Sequence, residues 1–186
     1  MPERLIYDRA MPAIRRAALA GALLVLLAVP SAHATLPKFA DKTIVVGKSI
    51  GGVKLGMGAA AAKKAWGGAK GCALFGSASC IYRPAGSTQS SAGEGSFGFP
   101  GGKVTSVYIA APLGAKGYLY KPPLSTPKTD KGIGIGSKLA AAKKAYPKAT
   151  VSGTFMTITG KGGVSTTFEF YGDDKRCHRV SISRET

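Results

Sequence analysis

Residues 132–146 read GIGIGSKLAAAKKAY, and residues 52–66 read GVKLGMGAAAAKKAW. Set side by side without a gap, they agree at Gly52/Gly132, Gly56/Gly136, Ala60/Ala140, Ala61/Ala141, Ala62/Ala142, Lys63/Lys143, Lys64/Lys144 and Ala65/Ala145. Val53/Ile133, Leu55/Ile135 and Trp66/Tyr146 are conservative exchanges. Alanine–lysine low complexity accounts for the middle of the match. It does not account for the matched glycines, aliphatics and terminal aromatic, so the pair reads as an internal duplication.

Each copy carries the same local logic. A glycine-punctuated apolar stretch leads into an Ala-rich helix. Ala59, Ala62 and Trp66, or Leu139, Ala142 and Tyr146, recur at spacings of three and four and share one helix face. Lys63, Lys64, Lys143 and Lys144 fall on the solvent side and are the candidate contacts for an anionic surface. A helix of about two turns is marginal in water, so packing must hold it. Small alanines allow close approach to a sheet, and Trp66 and Tyr146 are the expected anchors. Their removal is expected to cost roughly 3–5 kcal/mol each. Gly67 and Gly68 end the first helix and Pro147 the second.

Strands follow each helix. The first copy has CALF at 72–75, CIYR at 80–83, SFGF at 96–99 and KVTSVYIA at 103–110; the second has TFMTIT at 154–159, VSTTFEFY at 164–171 and KRCHRVSIS at 175–183. Phe97 and Phe99 match Phe168 and Phe170, and Val107 and Ile109 match Val180 and Ile182, so the last two strands of each copy form a hairpin across a Gly-rich turn. On this alignment Cys177 takes the place of Val104. PAGSTQSSAGEG at 84–95 reads as a flexible loop, and the prolines near 122–127 favour an extended connector. The expected class is α+β, with repeat unit 1 at 35–111, a Pro-rich connector at 112–131 and repeat unit 2 at 132–186.

The chain opens with an export signal at 1–34. Arg15 and Arg16 precede the apolar run AALAGALLVLLAV at 17–29, and Ala32-His33-Ala34 is an A-x-A cleavage site. The run is too short to span a bilayer, which takes about 20 residues. Met11 offers a second start that gives a more compact signal. A secreted or cell-envelope location follows, with no membrane span after cleavage. Removing the leader takes four bases and two acids from totals of 26 and 9, which leaves 22 and 7, a net of +15. Lysine dominates the remaining bases. Its hydrated point charge suits diffuse attraction to anionic polymer rather than base readout, and an exported chain has little access to nucleic acid. Outside the cytosol Cys72 and Cys80, close in sequence, are the expected disulfide, with Cys80–Cys177 the competing pairing.

LGMGAAAAKKAWG at 55–67 resembles the G-M-T-x-x-x-V helix signature of the β-lactamase inhibitory protein superfamily. The small lipoproteins of outer-membrane assembly share that helix-plus-hairpins unit. The resemblance implies two tandem units, each a helix on an antiparallel sheet, with a disulfide after the first helix where Cys72 and Cys80 stand. The family's helix-capping Thr is replaced by Gly58 and Lys138, with Ser137 the substitute cap of the second helix. Ser152 stands where a second-copy Cys72 would fall, so the second unit lacks the bridge. The partner-binding loops have no counterpart, so inhibition of a β-lactamase does not carry over.

Catalytic groups are sparse. His178, the sole histidine after the leader, lies beside Cys177 in a strand, where successive side chains face opposite ways. A Cys–His pair needs mutual hydrogen-bond reach. Flanked by Arg176 and Arg179, His178 reads as a surface residue. No C-x-x-C or H-x-x-x-H offers a zinc site, and GIGIGS lacks the frame of a nucleotide-binding loop. No catalytic residue, cofactor or metal is expected. The sequence reads as a monomeric, non-enzymatic binding protein that engages another protein through a sheet face. The alternative is an envelope structural protein held to anionic wall polymer by its lysines.

Overall fold

The structure, a computed structural model, describes residues 35–184 except 75, 77 and 88; the expected signal peptide, 1–34, lies outside the described residues. In chain order the elements are β1 (Ile44–Val45), β2 (Ser49–Ile50), β3 (Val53–Lys54), α1 (Ala59–Ala65), β4 (Ala73–Leu74), β5 (Ser79–Tyr82), β6 (Glu94–Gly98) and β7 (Ser106–Ala110). After them come β8 (Leu113–Gly114), β9 (Gly117–Tyr118), α2 (Leu139–Ala145), β10 (Thr150–Ser152), β11 (Phe155–Thr159), β12 (Val164–Tyr171) and β13 (Arg176–Arg184). The fold is α+β. Eight strands form one antiparallel sheet in the order β10-β11-β12-β13-β7-β6-β5-β4. β1–β3 form a small separate sheet, and β8–β9 a hairpin within 112–131. No helix among the described residues is long and apolar enough to cross a membrane.

β7 and β13 are the central strands and pair antiparallel, with Val107 opposite Ile182, Tyr108 opposite Ser181 and Ile109 opposite Val180. Directly opposed residues share a face. One face therefore carries Phe97, Val107, Ile109, Val180, Ile182 and Phe168, every one buried. Both helices pack here. Ala62 of α1 and Leu139 and Ala142 of α2 are buried, and Trp66 meets Tyr82 and Phe97 edge-on at 5.6 Å.

The two helix junctions are tied alike. The Gly56 amide donates to the Val104 carbonyl and the Val104 amide to Met57; the Gly136 amide donates to the Cys177 carbonyl and the Cys177 amide to Ser137. Gly58 bridges Lys103, and Lys138 bridges Arg176. Cys177 thus stands in its half where Val104 stands in the other. Gly56 and Gly136 have φ of +80° and +87°, a left-handed turn that glycine enters without strain. A side chain at Gly136 would also meet the Tyr120 Cβ at 3.2 Å and its ring at 3.5 Å.

Trp66 closes α1 and is 1% exposed. Its indole nitrogen donates to the Ile50 carbonyl at 3.2 Å. The ring can lie on the sheet because Gly95 is beneath it: a Cβ there would come within 2.9 Å of the indole. The chain leaves α1 through Gly67 and Gly68, both at positive φ, and the Gly68 amide caps the Lys63 carbonyl at 2.7 Å. Tyr146 is only half-buried. Its ring stacks 6.4 Å from Phe168, its hydroxyl reaches Asp130, and Lys131 lies 4.7 Å over the ring.

Several local expectations change. Ser137 does not cap α2; its hydroxyl accepts from the Gly134 amide, inside the preceding loop. Neither Gly58 nor Lys138, the N-cap residues, makes a side-chain cap bond. Lys64, Lys143 and Lys144 are exposed, but Lys63 is half-buried with its ammonium 5.6 Å over the Phe99 ring. The stretch 84–95 is not all loop: Glu94 and Gly95 open β6 and are buried. β1–β3, β8–β9 and β10 carry no signal in the sequence. At two or three residues each they are too short to show alternation.

Trp66→Ala is expected to destabilise by about 3–5 kcal/mol, whereas Tyr146→Ala, which empties a half-open site, should cost about half as much. Lys138→Thr supplies the missing cap and removes a cation from the positive end of α2. It should stabilise by about 1 kcal/mol. Denaturant unfolding of the three variants checks both expectations.

Candidate functional site

The second face of the eight-stranded sheet has no α-helix on it. Its residues run in rows across the strands. One row, through the centre, is Ser96, Tyr108, Ser181, Thr167 and Thr157. A neighbouring row is Ser106, Ser183 and Ser165, continuing to Thr159. The row on the other side is charged. Glu94, Ala110, Arg179, Glu169 and Phe155 follow one another across β6, β7, β13, β12 and β11, and Arg83 extends it beyond β5.

A β-bulge builds this row. Glu169 pairs with Arg179 but Phe170 pairs with Cys177, so β13 carries one extra residue, His178. The core-facing positions Cys177 and Val180 are therefore separated by two residues, and His178 and Arg179 both turn to the open face. Bulges commonly re-aim side chains in this way.

Glu94 is 4% exposed yet ionisable. Its carboxylate accepts from Arg83 Nε at 2.6 Å and from the Tyr108 hydroxyl. These charge-assisted bonds satisfy a buried anion that would otherwise be costly. Burial, and then the bond to Glu94, pushes the Tyr108 phenol up to about 12, so it remains a donor. The Arg179 guanidinium lies 4.3 Å over the Tyr108 ring, a cation–π contact.

His178 is 6% exposed, not a surface residue. The connector covers it: the Tyr118 ring stacks on the imidazole at 4.2 Å, and Tyr171 meets it edge-on at 6.0 Å. Nε2 faces Glu169 Oε2 at 3.6 Å, longer than a hydrogen bond, and Nδ1 is buried without a partner. Burial lowers the imidazole's pKa; Glu169 opposes that shift and Arg179 adds to it.

Around these groups lies a groove of about 320 Å³, with Glu94, Tyr108, Glu169, His178 and Arg179 on its polar side and Leu113 and Tyr118 on the connector side. A second groove, of about 420 Å³, lies on the other side of Tyr118, between Tyr120, Tyr171 and the turn Gly172, Asp173 and Asp174. In that turn Asp174 pairs with Arg176.

The other sequence candidates lie away from this face. Cys72 and Cys80 form the disulfide, Cα atoms 5.4 Å apart, beside α1. Cys177 is a free, fully buried thiol whose pKa burial pushes up to about 12, which makes it a packing residue rather than a nucleophile. Lys63, Lys64, Lys143 and Lys144 sit on the helices. No group of three or more His, Cys, Asp or Glu among the described residues is placed to share a metal ion.

Sequence reasoning missed Glu94, Tyr108, Glu169 and Arg179. One signal was available. Outside the leader the chain has only four arginines, Arg83, Arg176, Arg179 and Arg184, among many lysines. Three of them lie in one strand, and arginine is favoured where planar, bidentate or stacked contacts are made.

Comparison with known protein families, curated protein sequences and solved structures finds no match to this chain.

The depressed pKa of His178 has a defined sign. The unfolded imidazole takes up its proton near the ordinary value of 6.5, while the folded one does so at lower pH. The unfolded state therefore binds more protons just below 6.5, and stability falls there as pH falls. The groups facing the ring are Glu169, Arg179, Tyr118 and Tyr171. Stability is expected to be level from pH 7.5 to 6.5 and to decline towards pH 5. His178→Gln should flatten that decline, as thermal unfolding across this range would reveal.

Proposed function

We propose that this is an exported, non-enzymatic binding protein that engages another protein through the open face of its eight-stranded sheet. The observation that carries this reading is the preorganised charged row that crosses the two central strands beside the Tyr108 row. Arg179 is laid on Tyr108, with Glu94 locked beneath by Arg83. Apolar and aromatic groups flank it on the same side: Phe155 is 46% exposed, Tyr171 56% and Leu113 48%. Stacked arginine and rigid tyrosines near the middle of a surface are the residue types that concentrate binding energy. The buried high-pKa thiol of Cys177 and the capped imidazole of His178 support a role without catalysis. The disulfide fits an extracytoplasmic site.

Internal duplication is part of the same reading. The paired hydrogen bonds at the two helix junctions support it, as does the symmetric β7–β13 ladder, in which the aligned pair Tyr108 and Ser181 face each other. On this view two equivalent units meet at their last strands. Kinship with the β-lactamase inhibitory protein superfamily is proposed on the helix signature and this arrangement.

A second reading has its own support. Lys64, Lys143 and Lys144 are exposed on the helices, opposite the charged row, and would hold anionic wall polymer. The two surfaces separate by mutation. Crosslinking on intact cells should yield a protein partner that is lost with Arg179→Ala and Tyr171→Ala and kept with Lys64→Glu plus Lys144→Glu. Loss with the lysine variant alone, together with release of the protein in high salt, would replace the first reading by the second.

A further inference from the structure

Arg179 and Glu169 stand directly opposite each other on β13 and β12. Opposite charges in that position ordinarily close into a cross-strand pair. In the same row Arg83 and Glu94 do so at 2.6 Å. Arg179 and Glu169 form no ion pair, because each is drawn aside. The guanidinium lies over Tyr108 on β7, 4.3 Å from the ring, while the carboxylate leans to His178, 3.6 Å away. Among the described residues the Arg179 guanidinium makes no hydrogen bond or ion pair, and the Glu169 carboxylate makes no hydrogen bond and faces His178 alone as an ion-pair partner, at 3.6 Å. An unspent donor fork and an unspent carboxylate thus face the same groove of about 320 Å³.

We propose that this groove binds a zwitterionic α-amino acid with an apolar side chain, its carboxylate on Arg179 and its ammonium on Glu169. The charge argument selects a zwitterion. A simple anion would meet Glu169, and a simple cation would meet Arg179. A molecule carrying both charges about one carbon apart satisfies both groups and leaves the groove neutral. Glu94 does not compete, since Arg83 and Tyr108 already occupy it. The apolar wall of Ala110, Ala111, Leu113 and Tyr118 receives the side chain. The volume lies at the small end of ligand sites, which suits a single residue. This site goes beyond the protein-docking reading and stands whether or not the face also binds a protein.

Titration of the purified protein with L-leucine, N-acetyl-L-leucine and L-leucinamide, followed by calorimetry and by amide chemical shifts, tests it. L-leucine should bind saturably, shifting residues of β12, β13 and the β8–β9 hairpin, and blocking either end should weaken binding roughly tenfold or more. Glu169→Gln should abolish the preference for a free amine, and Arg179→Gln the preference for a free carboxylate. Thermal melting checks that each variant is folded. If one is not, the blocked ligands on the unaltered protein decide alone. The proposal is overturned by absence of saturable binding of L-leucine, L-valine and L-phenylalanine up to about 10 mM. Equal binding of N-acetyl-L-leucine and L-leucine overturns it too.

Discussion

The pairing of β7 with β13 is the constraint on which the rest depends. It joins four strands from the first half of the chain to four from the second, and it makes one sheet with two faces of opposite character. Val107, Ile109, Val180 and Ile182 meet across this ladder on the buried face. Tyr108, Ala110, Arg179 and Ser181 meet on the other. A slip of one residue would exchange the two sets, so the apolar side fixes the register that brings Arg179 beside Tyr108. Core and candidate site are two consequences of one alignment.

The helix side is asymmetric in its packing. α1 ends in an indole held by Phe39, Tyr82 and Phe97 over a glycine, whereas α2 ends in a half-open phenol. The disulfide sits in the first half, next to the deeper anchor. In the second half the longest strands, β12 and β13, provide more ladder. Each half thus secures a helix of seven residues by different means, as a helix too short to stand alone requires.

The bulge at His178 connects stability to the site. Without the extra residue in β13, alternation would return Arg179 to the core side. With it, His178 and Arg179 share the open face, and the connector folds back to cover the imidazole with Tyr118. A buried, partnerless Nδ1 is tolerated because the ring is neutral and stacked. The same cover forms one wall of the groove.

The sequence by itself determined the α+β class, the two Ala-rich helices and their glycine and proline stops and the long strands, and it favoured the Cys72–Cys80 bond over Cys80–Cys177, a choice the structure made. Those are local matters: 3.6- and 2-residue periodicity, turn chemistry, and two cysteines close along the chain. The match of Cys177 to Val104 was also legible, and both side chains are buried. The short strands, the single continuous sheet, the burial of His178 and the charged row were decided by tertiary structure. A two-residue strand has no period of its own, and a bulge has no composition that marks it. Glu94, Arg179 and Glu169 lie far apart in sequence and become neighbours only when β6, β7, β13 and β12 are laid edge to edge.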